Sequence, residues 1–211
     1  DKGTTPQERI ARHFGCPTPA GYRKAQRLMT QAAKFNRPVV VFVNTAGAYA
    51  GVEAEEQGQG YMIAQNLMVM SELKTPLITV ITGEGGSGGA LAIGVGDRVL
   101  MLEHSWYSVI SPEMCATILW KDANKAPEAA ELLKLTSTDL LKFGIIDDVI
   151  TEPIGGAHRD HEGTGRQVKA FLRRHLSEIR KISVDELVNQ RLERFRKFGE
   201  FQAKKLAETV D

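Results

Sequence analysis

The residues with the clearest chemical potential lie in a glycine-rich run, Gly83-Glu-Gly-Gly-Ser-Gly-Gly89. Residues 76–81 before it are apolar and predict a buried strand, and residues 90–93 after it predict the first turns of a packed helix. A strand, glycine loop and helix in this order direct unpaired backbone N–H groups and the positive end of the helix dipole toward one point. The run therefore predicts a site for an anion, either bound or formed during a reaction.

A dinucleotide-binding loop is one interpretation of this run. The pattern Gly83-x-Gly85-x-x-Gly88 matches its glycine spacing, and Glu103 follows at about the distance of a ribose-binding acid. However, only about eight residues separate Gly88 from Asp97, and two of them are glycines, which leaves little room for a crossover helix. The spacing therefore disfavours this interpretation.

A serine nucleophile is the second interpretation, because Gly85-x-Ser87-x-Gly89 matches the nucleophile elbow of the α/β hydrolases. Asp147 or Asp148 and then His158 follow in the chain order of such a triad. Nothing else in the sequence connects these residues, so a serine hydrolase remains an alternative. The third interpretation is an oxyanion hole of backbone amides, in which no side chain takes part in the chemistry.

The composition argues against several functional classes. The chain has 211 residues, which suits one domain, and its net charge of +1 gives no basis for non-specific binding of nucleic acid. No apolar run is long enough to span a membrane and no signal peptide is visible, so we expect no membrane partner. Cys16 and Cys115 have no metal-ligand spacing, and so few cysteines predict a cytoplasmic location and no bound metal.

A second loop of the same kind follows an earlier predicted strand. Residues 38–43 form a continuous apolar, β-branched run, which predicts a strand buried on both faces. The glycine-bearing loop 44–51 comes next, and a helix with an acidic first turn is predicted over 53–73. Strands joined by helical crossovers are parallel, so we expect both loops at the same edge of the sheet, where ligands bind in α/β folds.

The rest of the pattern predicts an α/β chain that ends in helices. Capping residues mark several helix starts and ends. The further predicted elements are a helix from Thr18-Pro19 to Ala33, strand 98–102, helices 111–120 and 127–135, a helical turn 140–143 ended by Gly144, strand 145–150, and helices from about Gln167 and from Ser183.

Motifs along the chain follow the order of one known family. The segments concerned are Gly21-Tyr-Arg-Lys-Ala25, 44–59, 83–97, Tyr107-Ser-Val-Ile-Ser-Pro-Glu113, Leu119-Trp-Lys121 and Glu152-Pro-Ile-Gly-Gly-Ala-His158. In this order, from about Gly15 to Arg191, the chain resembles the carboxyltransferase α subunits of bacterial acetyl-CoA carboxylase, in the crotonase-like superfamily. Such a set is far more specific than any single glycine pattern.

The resemblance implies a crotonase-like (ClpP/crotonase) α/β fold with parallel strands, helical crossovers and C-terminal helices. It implies one carboxyltransferase domain over residues 1–211, of which 166–211 is a C-terminal helical extension. The implied reaction transfers a carboxyl group from carboxybiotin, held on a biotin carboxyl carrier protein, to acetyl-CoA, and gives malonyl-CoA for fatty acid biosynthesis. The implied partner is a β subunit that carries zinc and shares the active site, in a heterotetramer of two α and two β subunits.

For the site, the resemblance and the loop chemistry together indicate main-chain donors. Loss of the carboxyl group leaves negative charge on the ureido oxygen of biotin, and we expect the amides of Gly85 and Gly86 to stabilise that charge as the catalytic groups. The biotin enolate is basic enough to take a proton from the acetyl methyl group, so no protein base is required. The expected cofactor-binding residues are Gly47, Ala48, Tyr49 and Gly88.

Five positions depart from the family pattern. Asn44, Ala46 and Ala50 stand where the family usually has Asp and two prolines, Gln57 stands for Arg, and Met114 stands for Gly. The lost prolines loosen the restraint on the unfolded loop, and the lost Arg removes a partner for an anion. A non-catalytic paralogue that binds the β subunit is therefore a further alternative.

Other side chains near the glycine run are expected to be structural. We expect Glu84 to pair locally and Ser87 to orient the loop, and we expect His104 to lie in or near the core. The basic residues between Arg166 and Lys181 predict a solvated helix face.

Overall fold

The computed structural model describes residues 2–199, so the last part of the predicted extension, residues 200–211, lies outside the described residues. The structure is a parallel β-sheet with helices packed on both faces, as the sequence predicts. Between residues 2 and 199, no helix is both long enough and apolar enough to cross a lipid bilayer.

The strands of the sheet pair in parallel throughout. They are β1 (Val39–Thr45), β2 (Leu77–Gly86), β3 (Arg98–Leu102), β4 (Trp106–Ser108) and β5 (Asp148–Ile150). The order is β1-β2-β3-β5, and the short β4 pairs with the last residues of β2. The parallel direction confirms that the loops after β1 and β2 leave the sheet at one edge, which we call the carboxyl edge.

The helices begin and end at recognisable capping residues. They are α1 (Pro6–Ala11), α2 (Pro19–Lys34), α3 (Val52–Glu56), α4 (Gln59–Ser71), α5 (Ser87–Leu91), α6 (Pro112–Trp120), α7 (Ala126–Leu133), α8 (Ser137–Lys142), α9 (His161–Ile179) and α10 (Val184–Arg196). As predicted, the hydroxyl groups of Ser111 and Ser183 accept N–H bonds at the starts of α6 and α10. Gly144, with a φ of 69°, follows the end of α8 as predicted.

The hydrophobic core lies on both faces of the sheet. Face A is the side of Val43, Ile81 and Met101, against which α5 and α8 pack, with α2 and α4 toward the amino ends of the strands. Face B is the side of Val80 and Leu100, against which α9 packs. Successive side chains of a strand point to opposite faces, and β2, β3 and β5 contribute to both clusters.

β1 is an edge strand, and only one of its faces is covered. Val43 is buried on face A, whereas Val40 and Phe42 on face B are 38% and 55% exposed. The prediction of a strand buried on both faces is therefore wrong for β1. Its apolar run reflects β propensity, but the face B cluster is built on β2, β3 and β5 and does not extend over β1.

Three other boundaries differ from the predictions. The helix expected over 53–73 is divided into α3 and α4 at Gly58, whose φ of 79° is left-handed. The strand expected over 145–150 is reduced to β5, because Ile145 bonds back to Leu140 of α8. α9 begins earlier than Gln167, because the carboxylate of Asp160 accepts the N–H of Gly163 and caps it.

Arg191 of α10 is fully buried. It joins the helices to the amino edge of the sheet, which is the end at which the parallel strands begin. Its guanidinium donates to both carboxylate oxygens of Asp97, at 2.8 and 2.9 Å. Its remaining bonds reach the carbonyl oxygens of Met70, Leu73 and Thr75, at 2.7, 2.8 and 3.0 Å. Asp97 also accepts the N–H of Leu77 at 2.7 Å, so the pair fixes where α4, α10 and the starts of β2 and β3 meet.

Replacing Arg191 with Met should lower the free energy of unfolding by about 3–5 kcal/mol, because a buried carboxylate would lose its partner. Urea denaturation followed by circular dichroism measures the change. Arg196→Met on the same helix is the matched control, since the Arg196 side chain is 78% exposed and lies 3.8 Å from Glu193. A loss below about 1 kcal/mol for the Arg191 variant would show that the pair does not support the fold.

Glu152 holds the chain that leaves β5 at the carboxyl edge. Its side chain is 6% exposed, and its carboxylate accepts the N–H groups of His104 at 2.9 Å and Ala157 at 2.7 Å. Burial opposes the ionisation of Glu152, but these donors and the nearby His104 ring outweigh burial and lower its pKa. The His104 side chain is 64% exposed, so the prediction that it lies in or near the core is wrong.

Folding lowers the pKa of Glu152, so its contribution to stability is present above the ordinary value of 4.5 and is lost as the pH falls through the lower folded-state value. We expect Glu152→Gln to reduce the free energy of unfolding by about 1–3 kcal/mol at neutral pH. The difference from the wild type should shrink toward pH 3. Urea denaturation of both proteins at pH 7, 5 and 3 measures it, and a difference independent of pH would contradict a role for the ionised carboxylate.

Candidate functional site

The loops that follow β1 and β2 pack backbone against backbone at the carboxyl edge. A Cβ atom placed on Gly86 would lie 1.9 Å from the carbonyl oxygen of Ala46, and one on Gly89 would lie 2.1 Å from the nitrogen of Ala48. Only glycine fits at either position without a shift of the backbone. We call this contact between residues 45–51 and 85–89 the loop junction, and it brings the two predicted loops face to face.

Gly85 and Gly86, the predicted catalytic residues, lie within β2 and not in an open loop. Gly85 pairs with Thr45 of β1 and with Tyr107 of β4, and Gly86 pairs with Ser108 of β4. The prediction of a free loop is therefore wrong for these two residues. The three-residue β4, which extends the ladder this far, is too short to give a sequence signal. Their role as charge-stabilising donors stays a prediction.

The amides that lack an acceptor within α5 belong to its first turn. Ser87, Gly88 and Gly89 precede the first i→i−4 bond of that helix, and no side chain among the described residues caps it at Gly86. α5 has only five residues, so its dipole adds little to the field of these individual N–H groups.

Gly47 and Gly88 differ from the other glycines of the loop junction, because neither packing nor backbone conformation requires glycine there. No described atom lies within 4 Å of a Cβ placed on Gly47, and the nearest atom to one on Gly88 is a methyl carbon of Ile63 at 3.8 Å. Neither residue has a positive φ. The space beside Gly47 is open, and a Cβ on Gly88 would make only an ordinary van der Waals contact with Ile63, so packing does not close off the backbone at these two predicted cofactor-binding residues.

Tyr49 and Ala48, the other two predicted cofactor-binding residues, are half-buried at the loop junction. The Tyr49 ring packs on His13, with the ring centroids 4.2 Å apart and the planes inclined by 44°. Its backbone N–H donates to the carbonyl oxygen of Pro17 at 3.0 Å. These contacts fix the loop, and the binding role of both residues stays a prediction.

Side chains at the end of β1 hold the backbone of both loops, and of these Asn44 connects one loop to the other. The Asn44 carboxamide oxygen accepts the N–H of Glu84 at 3.0 Å, and the Thr45 hydroxyl donates to the carbonyl oxygen of Gly47 at 2.8 Å. Asn44 thus retains an acceptor that the Asp usual in the family would offer at this position. The sequence analysis noted Asn44 only as a departure and did not single out Thr45.

Two buried polar side chains of the flanking helices were also missed. The Tyr22 hydroxyl on α2 donates to the carbonyl oxygen of Gly89 at 2.9 Å, and Gln59 at the start of α4 donates to the carbonyl oxygen of Tyr49 at 2.8 Å. Tyr22 lies 67 residues from its acceptor along the chain. A local pattern carries no signal for such a contact.

Ser87 has a left-handed φ of 54° and an exposed side chain, but the structure does not assemble a catalytic triad around it. Asp147 and Asp148 lie at the start of β5, at the amino edge, where they form ion pairs with arginines of α9 and α10. His158 follows the end of β5, at the carboxyl edge, whereas both carboxylates lie at the amino edge. The hydrolase alternative is therefore wrong in its predicted triad.

The dinucleotide interpretation also fails in the structure. Glu103, its ribose-binding acid, lies just past the end of β3 and accepts the N–H of Glu152 at 3.1 Å. The helix that follows the glycine run, α5, has five residues and does not form the long crossover of such a unit.

Several titratable side chains at or near the loop junction are protonated or paired. Burial raises the pKa of the Cys16 thiol and of the Tyr22 and Tyr107 hydroxyl groups, so all three hold their protons at neutral pH. Glu84 forms an ion pair with Lys2, which confirms its predicted local pairing. Over residues 2–199, no group of three or more His, Cys, Asp or Glu side chains is arranged to hold a metal ion.

Two grooves lie elsewhere on the molecule and do not include the glycines of the loop junction. A groove of about 820 Å³ runs over face B between β1 and α9, with Phe42, Leu102 and Leu172 among its lining residues. Lys169 and Arg173 of the predicted solvated helix face also line it. A second groove of about 360 Å³ lies between α4, α5 and α10.

Solved structures show the class of fold. A Pseudomonas malonate decarboxylase hetero-tetramer in complex with coenzyme A matches with a TM-score of 0.66 and 18% sequence identity, over 82% of this chain and 69% of that chain. Transcarboxylase 12S with methylmalonyl-coenzyme A and methylmalonic acid bound matches with a TM-score of 0.60 and 20% identity, over 94% of this chain and 34% of that chain. These likenesses confirm the predicted crotonase-like α/β fold.

Curated relatives match at much higher identity. The acetyl-coenzyme A carboxylase carboxyl transferase α subunits of Rhodopirellula baltica and Geobacter metallireducens are each 56% identical over 200 residues, which cover 95% of this chain. The match spans 63% of the length of each relative. The family model described as acetyl co-enzyme A carboxylase carboxyltransferase-like matches residues 1–199. The chain therefore belongs to the acetyl-CoA carboxylase carboxyltransferase-like family.

Proposed function

We propose that the chain is the α subunit of a carboxyltransferase that moves a carboxyl group from carboxybiotin to acetyl-CoA and forms malonyl-CoA for fatty acid biosynthesis. Family membership supports the reaction class. The observation that carries the site is that neither packing nor dihedral angle requires glycine at Gly47 or Gly88, and that the space beside Gly47 is open. Residues 1–211 act in this proposal as one carboxyltransferase domain.

Backbone amides of the loop junction stabilise the developing charge. Carboxybiotin supplies an activated carboxyl group, whose departure leaves negative charge on the ureido oxygen. A donor that is fixed before the reaction stabilises such charge by roughly 3–4 kcal/mol in a site from which water is excluded. We place the donors among the amides of Gly85, Gly86 and Gly88, and Gly88 is the one that precedes the first helical bond of α5.

The other residues of the loop junction bind and orient. The backbone of Gly47 and Ala48 packs against Gly89 and forms one wall of the site, and the Tyr49 ring, held on His13, bounds it. Cys16 and Tyr22 are protonated and Glu84 is paired with Lys2, so these three groups are not available as a general base, which fits a reaction that takes none from them.

The proposal includes partners. A zinc-carrying β subunit completes the site in a heterotetramer of two α and two β subunits, and a biotin carboxyl carrier protein delivers the carboxyl group. The subunit name of the relatives supports a second subunit, and the malonate decarboxylase neighbour is itself a hetero-tetramer. A cytoplasmic location, consistent with the unpaired Cys16 and Cys115, is part of the same proposal.

Gly88→Ala should leave the fold intact and lower turnover at least about tenfold, because the added methyl group occupies space that the ligand needs. The assay mixes the chain with a β subunit of the family and follows biotin-dependent decarboxylation of malonyl-CoA. The melting temperature is measured in parallel.

Gly165→Ala in α9 is the matched control for this substitution, since no described atom lies within 4 Å of its added Cβ either. It should keep full turnover and raise stability by up to about 1 kcal/mol, because alanine favours a helix interior. Gly86→Ala should fail to fold correctly, because its Cβ would overlap the Ala46 carbonyl group. Full turnover in the Gly88 variant would refute the assigned site.

Ser87→Ala should retain at least about half of the turnover, because the structure assembles no base beside the hydroxyl group. The same decarboxylation assay measures it. A loss of about a thousandfold or more would identify Ser87 as a nucleophile and would favour the hydrolase chemistry instead.

A further inference from the structure

Gln59 is a buried polar side chain that contacts the loop after β1, at Tyr49, and the segment before α2, at Pro17. It is 6% exposed, and its carboxamide nitrogen donates to the carbonyl oxygens of Tyr49 and Pro17, each at 2.8 Å. The N–H of Tyr49 donates to the same Pro17 carbonyl at 3.0 Å. Three hydrogen bonds therefore close a ring between α4, the loop after β1 and the segment before α2.

The orientation of the carboxamide is defined by its surroundings. Both groups that the nitrogen faces are carbonyl oxygens, which can only accept hydrogen bonds, so a flipped amide would lose both bonds. The Gln59 oxygen is buried and has no hydrogen-bond partner among the described residues. A buried amide whose oxygen has no hydrogen-bond partner lowers stability. Such an unpaired group calls for an explanation, and we find it in the two hydrogen bonds that the amide nitrogen donates.

We call the two hydrogen bonds that Gln59 donates the Gln59 clamp. Through Tyr49, the clamp is connected to the loop junction. Gln59 holds the carbonyl group of Tyr49, whose neighbour Ala48 presents its backbone nitrogen to Gly89 so closely that no Cβ fits between them. A shift of the Tyr49 carbonyl therefore moves the wall against which the first turn of α5 rests. Close-packed backbone transmits such a shift because it has no side chains that could adjust.

We propose that Gln59 is a positioning residue, which sets the separation of the two glycine loops through the Tyr49 carbonyl group. The expected effect of Gln59 on catalysis rests on the proposed function. Its effect on the position of the loops rests on the contacts alone. A displacement of about 1 Å at a site of preorganised donors is enough to cost about a hundredfold in rate. Gln59 touches the loop from behind and acts through it.

The test replaces Gln59 with Glu, which keeps the size of the side chain and removes the N–H donors. A carboxylate at the first residue of α4 is compatible with the start of that helix, so the damage is confined to the clamp. The ionised carboxylate repels the two carbonyl oxygens, whereas its protonated form again donates one hydrogen bond. We expect kcat for malonyl-CoA decarboxylation to fall at least about tenfold at pH 8 with KM within about threefold. We expect the ratio of variant to wild-type kcat to rise as the pH is lowered to 6.

Hydrogen exchange gives a readout that needs no activity. The amides of residues 46–51 should exchange at least about tenfold faster in Gln59→Glu at pH 8, because the ring of bonds that protects them opens. If the wild type has no decarboxylase activity and the exchange still changes, the proposed function fails and the positioning role stands. If the exchange is unchanged, the positioning role fails whatever the activity.

Two further variants guard against a general folding effect. Thr75→Val removes a comparable buried bond, from the Thr75 hydroxyl to the Arg37 carbonyl oxygen at 2.9 Å, at the amino edge of the sheet. It should leave kcat within about twofold and should not change the exchange of residues 46–51. Gln59→Met should show the loss of kcat without recovery at low pH, since it carries no titratable group. Recovery in the Met variant, or equal losses in the Thr75 variant, would overturn the inference.

Discussion

The Arg191–Asp97 ion pair sets the geometry on which the candidate site depends. It joins the starts of β2 and β3 to the end of α4 and to α10, far from any glycine of the loop junction. Parallel strands that begin in a fixed register also end in a fixed register, so the pair helps to fix where β2, and the glycine run at its end, lies relative to β3. An apolar replacement could match the pair in stability, but it would lack five directed N–H donors that specify one arrangement.

The loop junction contains two kinds of glycine, those whose Cβ would clash with the opposite loop and those whose Cβ would not. Gly86 and Gly89 lack side chains because the opposite loop occupies the space, whereas the space beside Gly47 is open and a Cβ on Gly88 would meet Ile63 only at ordinary contact distance. The first kind brings the loops into contact, and the second leaves the backbone accessible. A site of this design depends on the positions of peptide groups, which explains why the polar side chains around it serve to hold the backbone. Asn44, Thr45, Tyr22 and Gln59 all bond to main-chain atoms of the two loops.

Local patterns predicted much of the fold. The parallel strands, the caps at Ser111 and Ser183, and the meeting of the two loops follow from strand spacing, hydroxyl placement and glycine content. Contacts between distant residues could not be predicted in this way. Arg191 looks like one more charge on an exposed helix, because its partner Asp97 is 94 residues away. The hydrogen bond from Gln59 to Pro17 could not be predicted for the same reason, since the two residues are 42 positions apart. The extension of β2 to Gly86 depends on its pairing with β4, which local patterns do not show.

The open side of β1 affects how the chain behaves in solution. β1 has one neighbouring strand within residues 2–199, so the backbone groups of its outer side are free to pair. The strand contains neither proline nor a charged residue, the usual devices that stop one sheet edge from joining another, and it exposes Val40 and Phe42. With a net charge of only +1, electrostatic repulsion between molecules is also weak. We therefore expect any self-association of this chain at high concentration to begin along β1, by growth of the sheet from one molecule into the next.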